Sequence, residues 1–300
     1  MATPQSTPHT NTDTAVYATL ITAAQLQALQ AAGRPRMVFD CSFELMQADA
    51  GPTQFEQSHI AGARYADLNQ ALSVHQEGAA RASGGRHPLP TREAFAQWLG
   101  QMGFENGMQA VVYDRQGANY CGRLWWMLKW LGHDAVAVLD GGLQAWQAAG
   151  GAVESGLAPT ATPSNFVLAP ALLELVTVDD MVQRAAQGRP IIDARGAPRF
   201  RGEVEPLDPV AGHIPGALNR VFTSNLDANG FFKPAATLRA EFEALLGQRD
   251  ATDVTHHCGS GVSAIPNVLA MEIAGLGRSA LFAGSWSEWC ADPARPVAQG

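Results

Sequence analysis

Six short apolar runs divide the chain, and each ends in aspartate, glycine or cysteine. Short runs of this kind are typical of buried strands in a parallel sheet. The sequence therefore predicts strands at MVFD (37–40), AVVYD (110–114), AVAVLD (135–140), PIID (190–193), VTHHC (254–258) and SALFAG (279–284).

Helical patterns lie between these runs. Phe95 and Leu99 are four residues apart, as are Phe242 and Leu246, which places each pair on one face of a helix. Further helices are predicted after a strand and a loop, at GRLWWMLKWLG (122–132) and IPNVLAMEIAGLG (265–277). Alternating strands and helices predict an α/β fold in which a parallel sheet is flanked by helices. In such a sheet, ligands bind beyond the carboxyl ends of the strands.

The two halves of the chain repeat one another in the same order. MVFDCS and IIDARG pair Asp40 with Asp193, and SHIAGARYADL and GHIPGALNRVF pair His59 with His213. VVYDRQGANYCGRLWWML and THHCGSGVSAIPNVLAM follow, and they align an aspartate with a cysteine. Ordered matches of this kind indicate a duplicated domain.

The stretch GGAVESGLAPTATPSN (150–165) is dominated by small residues and proline, which is typical of a linker. The sequence thus predicts four regions. They are a disordered polar tail over residues 1–20, a first domain over 21–150, a linker over 151–175 and a second domain over 176–300.

Composition excludes several classes of protein. The chain has 300 residues and a net charge of −8, which argues against nucleic acid and anionic membranes as partners. No stretch approaches the roughly 20 apolar residues of a membrane helix. The polar start MATPQSTPHTNTDTAVYA lacks the pattern of a signal peptide, so we expect a cytoplasmic protein. None of the four cysteines stands in a C-x-x-C pair, so we expect free thiols and no metal site.

One cysteine stands in a setting suited to chemistry. HHCGSGVSA (256–264) places Cys258 after a predicted strand and before a predicted helix. Gly259 and Gly261 permit the backbone angles with which N–H groups converge on one anion, and Ser260 and Ser263 add hydroxyl donors. The N-terminus of the helix adds a positive field. We therefore expect the loop to stabilise a thiolate on Cys258 and a negatively charged sulfur bound to it.

Three chemistries use a cysteine in this position. A phosphatase of the C-x5-R type needs an arginine where this chain has Ala264. A cysteine hydrolase would use His256 or His257 as its base, although neighbours on one strand point to opposite faces. Sulfur transfer would hold a persulfide anion in the ring of N–H groups, and the small loop favours this third chemistry.

The repeated D…HI.GA…DGG..W pattern resembles the tandem-domain rhodanese superfamily. The loop CGSGVSA (258–264) resembles the CGSGVT loop of 3-mercaptopyruvate sulfurtransferases within it. The resemblance extends over residues 21–297 and implies two rhodanese-like α/β domains. It also implies that only the second domain is active, because Asp114 stands where the first has lost its cysteine.

The same resemblance assigns roles to single residues. It implies Cys258 as the nucleophile that carries the persulfide and Arg199 as an anchor for the anionic donor. Ser260 is the nearest hydroxyl that could supply a proton to the leaving group. The other residues expected to bind the donor belong to the loop: Gly259, Gly261, Val262 and Ser263.

The implied reaction moves sulfur from 3-mercaptopyruvate, a small anionic donor, to a thiol, cyanide or thioredoxin-like acceptor. It implies no metal or organic cofactor. Two alternatives stay open, a thiosulfate:cyanide sulfurtransferase and a persulfide-relay partner of a sulfur-carrier pathway.

The sequence departs from the family at one donor position. A second arginine usually follows in an E-P-R stretch, and this chain has Leu207 there, so one of the two arginines that usually bind the donor carboxylate is missing. His59 is a candidate for a relay with Ser260. Because both halves keep this histidine, we expect His59 and His213 to serve the fold instead.

Overall fold

The computed structural model describes residues 16–47, 49–158 and 160–300. The tail predicted for residues 1–20 lies mostly outside this description. Its last part packs on the first domain rather than extending as a tail. The Tyr17 N–H donates to Gln109 Oε1 at 3.0 Å, and Trp125 Nε1 donates to the Ala18 carbonyl at 3.0 Å. These bonds tie the segment to the domain, and Leu20 already belongs to a strand.

The first domain alternates strands and helices as its sequence predicts. Its first helix begins at a capping box in which Thr22 and Gln25 satisfy each other's backbone N–H groups. Its elements are β1 (Leu20–Ile21), α1 (Ala23–Ala31), β2 (Arg36–Asp40), α2 (Ala50–Gln57), β3 (His59–Ile60), β4 (Arg64–Tyr65), α3 (Arg92–Gln101), β5 (Gln109–Tyr113), α4 (Cys121–Trp130), β6 (Val136–Leu139), α5 (Gly142–Ala148) and β7 (Val153–Glu154).

The second domain follows the same order. Thr177 and Asp180 form the equivalent capping box at the start of its first helix. Its elements are α6 (Val178–Ala186), β8 (Ile191–Asp193), α7 (Ala197–Phe200), β9 (Leu218–Asn219), α8 (Ala235–Leu246), β10 (Thr255–His257), α9 (Ile265–Ile273), β11 (Ala280–Leu281) and α10 (Ser285–Trp289). Short 3-10 turns over Phe222–Asn225 and Ala251–Asp253 flank α8.

Each domain is built on a parallel sheet, which confirms the predicted fold class. The first sheet has the order β1-β6-β5-β2-β4 and the second has the order β11-β10-β8-β9. In both, the strand that ends in the paired aspartate lies beside the strand that precedes the paired loop. Asp40 is in register with Tyr113, and Asp193 is in register with His257. The carboxyl ends of these strands therefore present Asp114 and Cys258 at equivalent places.

A continuous apolar core joins the two domains. It includes residues of α3 and α4 from the first domain and of α8 and α9 from the second. Helix α4 is buried on every side because it lies between its own sheet and α9. Its Lys129 is buried too, and it pairs with Glu272 of the second domain at 2.7 Å. The outer faces of the two sheets are covered separately, by α1 and α5 in the first domain and by α6 and α10 in the second.

Two irregular segments cross from one domain to the other. We call residues 66–91, between β4 and α3, the first arm, and residues 220–234, between β9 and α8, the second arm. We call residues 114–120, between β5 and α4, the silent loop, because it has Asp114 where the second domain has Cys258. The second arm covers it: a Cβ added at Gly117 would lie 2.6 Å from Leu226 Cδ1, and the Phe232 N–H donates to Asp140 Oδ1 at 2.9 Å. The first arm covers the Cys258 loop in the same way. Among the described residues, no helix has the length and apolar character needed to cross a membrane.

Candidate active site

Cys258 lies directly after β10, at the carboxyl edge of the second sheet. Its N–H donates to Ser285 Oγ at 3.1 Å, and its carbonyl accepts from the Trp286 N–H at 2.9 Å. The Gly259 carbonyl accepts from the Ser287 N–H at 3.0 Å. The start of α10 thus fixes the first two residues of the loop. Cys258 is only 2% exposed, so a sulfur atom bound to it would be largely shielded from water.

The loop keeps its backbone N–H groups unused. None of the N–H groups of residues 259–264 has an acceptor among the described residues. Gly261 has φ +75°, and a Cβ there would lie 2.1 Å from the Ala283 carbonyl oxygen, so both conformation and space require glycine. Gly259 does not need its predicted conformational freedom, because its φ is not positive. There, glycine leaves room for side chains above the loop.

The matching loop of the first domain holds an anion of its own. The Asp114 carboxylate accepts N–H groups from Gln116 at 2.9 Å, Ala118 at 3.0 Å, Tyr120 at 2.8 Å and Cys121 at 2.9 Å. Asp114 is 1% exposed. A loop of this kind can therefore gather several N–H groups around one negative charge. In the first domain the carboxylate fills that place permanently.

Ser260 contacts a histidine of the first arm. His87 Nδ1 lies 2.7 Å from Ser260 Oγ, and both side chains are buried. Burial lowers the pKa of His87 to about 3, and the positive charges of Arg123 and Arg86 lower it further in the same direction. The imidazole is therefore neutral at neutral pH. The histidine beside the loop serine is thus His87 and not His59.

His59 and His213 have equivalent structural roles instead. Each ring stacks on a phenylalanine, Phe55 or Phe200, with 3.8 Å between ring centroids. Each Nδ1 is within 2.8 Å of the carbonyl oxygen of that same phenylalanine, so it is the protonated nitrogen that donates. The same geometry in both domains, of which only one has the thiol, agrees with a role in the fold.

Two arginines, not one, lie above the loop. A Cβ added at Gly259 would lie 3.0 Å from Arg86 Nη2 and 3.6 Å from Arg199 Nη1. Arg86 comes from the first arm, where its N–H donates to Ser287 Oγ at 2.9 Å. The first domain thus places Arg86 beside Arg199, although the usual position of the second arginine holds Leu207. Leu207 lines a cavity of about 490 Å³ beside Arg86, at the boundary between the domains.

Both arginines are paired with carboxylates. Arg199 donates to Glu205 from Nε at 3.0 Å and from Nη2 at 2.6 Å. Asp208 pairs with Arg86 Nη1, and its other oxygen is 3.3 Å from Arg199 Nη2. Burial opposes the charged form of Glu205, but the bonds from Arg199 and from the Leu207 N–H outweigh it and hold its pKa below the usual value. Burial raises the pKa of Asp208, and the pairing with Arg86 opposes that rise.

A third arginine ties the loop to the first domain. Arg123, in α4, donates from Nη1 to the Gly261 carbonyl at 2.9 Å and from Nη2 to the His87 carbonyl at 2.8 Å. It also donates to the Leu72 carbonyl from Nη2 at 3.3 Å. Burial lowers the pKa of Arg123, and the negative charge of Cys258 acts in the opposite direction.

The histidines before the cysteine do not serve as its base. His256 Nε2 lies 3.1 Å from Met271 Sδ, and burial lowers the pKa of His256 to about 3. His257 Nε2 lies 3.6 Å from Asp193 Oδ2. Neither ring is hydrogen-bonded to the Cys258 thiol in the described part of the chain. This geometry removes the base on which a cysteine hydrolase would depend.

Comparison with known proteins decides the family. The Rhodanese-like domain family matches residues 22–149 and again residues 177–292. The chain belongs to the rhodanese family. The predicted resemblance and the predicted fold class are both confirmed by this match.

Full-length relatives carry names of sulfurtransferases. The chain is 43% identical over 285 residues to a Pseudomonas aeruginosa protein named "Probable 3-mercaptopyruvate sulfurtransferase", with 94% of this chain and 99% of that protein covered. It is 34% identical to thiosulfate/3-mercaptopyruvate sulfurtransferase 2 of Arabidopsis thaliana, with 87% and 81% covered. The solved structure of a 3-mercaptopyruvate sulfurtransferase from Leishmania major superposes with a TM-score of 0.74 and 32% identity, with 91% of this chain and 74% of that chain covered.

Sequence reasoning missed the residues that the first rhodanese domain brings to the site, Arg86, His87 and Arg123. One signal was available. The stretch SGGRHPLP (83–90) interrupts the repeat, since the second half has no similar segment at the matching place. A glycine-rich, basic insertion in an otherwise duplicated domain indicates a task that the duplicate does not share.

Proposed function

We propose that the protein is a sulfurtransferase that takes sulfur from 3-mercaptopyruvate as a Cys258 persulfide and passes it to a thiophilic acceptor. One observation carries this proposal. Cys258 opens a loop whose N–H groups have no acceptor among the described residues, beneath the guanidinium groups of Arg86 and Arg199. The relatives whose names give this reaction support it.

In the first half-reaction the Cys258 thiolate attacks the sulfur of the donor. The new S–S bond uses the electron pair of the thiolate, and the C–S bond of mercaptopyruvate breaks with its pair going to the carbon. The leaving group is the enolate of pyruvate, which takes up a proton to become pyruvate. The persulfide that stays on Cys258 is placed among the N–H groups of Gly259, Gly261, Val262 and Ser263.

Ser260 supplies the proton or stabilises the enolate oxygen. Neutral His87 can hold Ser260 Oγ by donating from Nδ1, a tautomer that leaves the hydroxyl proton free to point at the donor. Thiosulfate would not need this proton, because sulfite leaves as a stable anion. The Ser260–His87 pair thus favours a carbonyl-bearing donor.

Arg199 and Arg86 bind the anionic end of the donor. Arg199 Nη1 and Arg86 Nη2 face the loop and have no hydrogen-bond acceptor among the described residues. Two guanidinium groups on one carboxylate give directional, charge-assisted bonds. Arg86 can therefore take the part that the absent arginine at Leu207 plays elsewhere in the family.

In the second half-reaction a thiol, cyanide or a thioredoxin-like protein removes the outer sulfur and restores the thiolate. The proposal includes a cytoplasmic location, which the free thiols of all four cysteines favour. The second candidate is use of thiosulfate as donor. Arg199 Nη1 and Arg86 Nη2 favour it, because these N–H groups face the loop and could also donate hydrogen bonds to the oxygens of thiosulfate.

Replacement of the nucleophile tests the proposal. Cys258→Ser is expected to abolish turnover with both donors and to keep its fold, because serine is close in size but cannot carry a sulfane sulfur. Intact-mass spectrometry of the wild type after incubation with mercaptopyruvate should show one added sulfur atom that cyanide removes.

Cys290→Ser is the matched control, since Cys290 is also buried in the second domain but belongs to a different apolar cluster from Cys258. It should gain the sulfur as the wild type does. An added sulfur that persists in Cys258→Ser would refute the assignment. If the persulfide forms with thiosulfate but not with mercaptopyruvate, thiosulfate replaces mercaptopyruvate as the donor.

A further inference from the structure

The arginines above the Cys258 loop carry little net positive charge. Arg199 is paired bidentately with Glu205, and Arg86 is paired with Asp208. Arg195 lies behind them and contacts both Asp193 and Glu205. The three guanidinium charges are thus matched by three carboxylates, those of residues 193, 205 and 208.

Asp208 differs from the other two carboxylates in its position. The Glu205 carboxylate accepts hydrogen bonds from the N–H groups of Leu207 and Asp208, so it stabilises its own loop. Asp208 instead bridges the domains, with one oxygen on Arg86 of the first arm and the other 3.3 Å from Arg199. Its side chain is 4% exposed. It is the carboxylate that contacts both arginines facing the loop.

We propose that Asp208 determines donor specificity by neutralising the Arg86–Arg199 pair, so that the site accepts a monocarboxylate and disfavours a dianion such as thiosulfate. This inference rests on the proposed function and adds to it. A donor carboxylate can share the two guanidiniums with Asp208, since each has N–H groups left over. The second negative charge of thiosulfate meets no unmatched cation there and is repelled by Asp208.

The strength of this repulsion is measurable. Two unit charges a few ångströms apart at a partly buried site interact by an amount equivalent to about a tenfold change in affinity or more. Asp208→Asn keeps the shape of the side chain and removes its charge. We expect it to raise kcat/KM for thiosulfate about tenfold more than it raises kcat/KM for mercaptopyruvate.

The control removes the same charge from a nearby but separate place. The control variant is Glu203→Gln. Glu203 lies in the same segment as Asp208, but it is exposed and pairs only with Arg201 among the described residues. The variant should leave the ratio of the two kcat/KM values unchanged.

The outcomes separate this inference from the proposed function. An unchanged ratio in Asp208→Asn, with both donors still turned over, overturns the role of Asp208 alone. An equal shift in Glu203→Gln overturns it too, since the effect would then belong to net charge. If the wild type forms a persulfide with neither mercaptopyruvate nor thiosulfate, the proposed function is overturned. If the asparagine amide disturbs Arg86, the ratio of the two kcat/KM values is measured in Asp208→Ala, which removes the charge without adding an amide.

Discussion

In the proposed mechanism, proton supply depends on the contact between Ser260 and His87, which come from different domains. His87 Nδ1 is 2.7 Å from Ser260 Oγ, and the His87 carbonyl accepts from Arg123. Both ends of the histidine are therefore fixed, the ring by the serine and the backbone by the arginine. Since the pKa of His87 is lowered to about 3, its protonation contributes no inflection to a rate profile near neutral pH.

Removal of this histidine should affect the two donors differently. His87→Ala is expected to lower kcat with mercaptopyruvate about ten- to a hundredfold, because a buried hydroxyl that loses its partner costs about 1–3 kcal/mol. With thiosulfate the loss should be small, since sulfite needs no proton to leave. His87→Asn, whose amide can replace Nδ1, should recover part of the rate. Equal losses with both donors in steady-state kinetics would argue for a purely structural histidine.

Local sequence was sufficient to find the cysteine loop but not its partners. Cys258, Gly261 and the strand before them are contiguous, so their chemistry can be read from one short segment. Arg86 and His87 reach the loop only through the packing of one domain on the other, and the insertion SGGRHPLP marks them as unusual without showing where they lie. The duplication predicted equivalent sheets, but a repeat cannot reveal a contact made between its two copies.

At the scale of the element, the two equivalent loops differ in what fills them. The silent loop folds around the Asp114 carboxylate, which accepts four backbone N–H groups. The N–H groups of the Cys258 loop have no acceptor among the described residues. The silent loop is thus stabilised by hydrogen bonds within itself, whereas the Cys258 loop is held by contacts with α10, Arg123 and the first arm.

Asp114→Asn tests this difference. The asparagine amide replaces one oxygen by an NH2 group, so two of the four N–H groups lose their acceptor. At about 1–3 kcal/mol for each, the free energy of unfolding should fall by about 2–6 kcal/mol. Turnover per folded molecule should stay near that of the wild type, because the carboxylate of Asp114 accepts its hydrogen bonds from its own loop and not from the Cys258 loop.

Urea denaturation and active-site titration would measure the two quantities separately. Asp250→Asn is the control, since Asp250 also accepts a backbone N–H, from Thr252, but at an exposed position. It should change stability far less. A large loss of turnover per folded Asp114→Asn molecule would instead give the first loop a part in the chemistry.

At the scale of the whole molecule, the domains share one apolar core. Residues of α4 and α9 meet in it, and the buried Lys129 pairs across the boundary with Glu272. Neither domain can separate without exposing that core to water and breaking the ion pair between Lys129 and Glu272. The two rhodanese domains should therefore behave as a single folding unit.

Calorimetry can test this unity with one substitution in each outer core. Leu26→Ala lies in the first domain and Met181→Ala in the second, and both side chains are fully buried. Each is expected to cost about 2–5 kcal/mol. Each should lower the midpoint temperature of one common unfolding transition, for which the calorimetric and van't Hoff enthalpies agree. Two separate peaks, of which each variant moves only its own, would show independent domains.

The two arms have a consequence for how such a chain can evolve. After a duplication, the copy that loses its chemistry is normally free to accumulate changes. Under the proposed function, the copy without the cysteine still provides Arg86, His87 and Arg123 to the Cys258 loop, so selection for the reaction continues to act on it through these residues. Selection for the reaction does not act in this way on the residues around Asp114. The first domain should thus contain positions that change slowly, where the first arm contacts the Cys258 loop, and positions that change faster elsewhere.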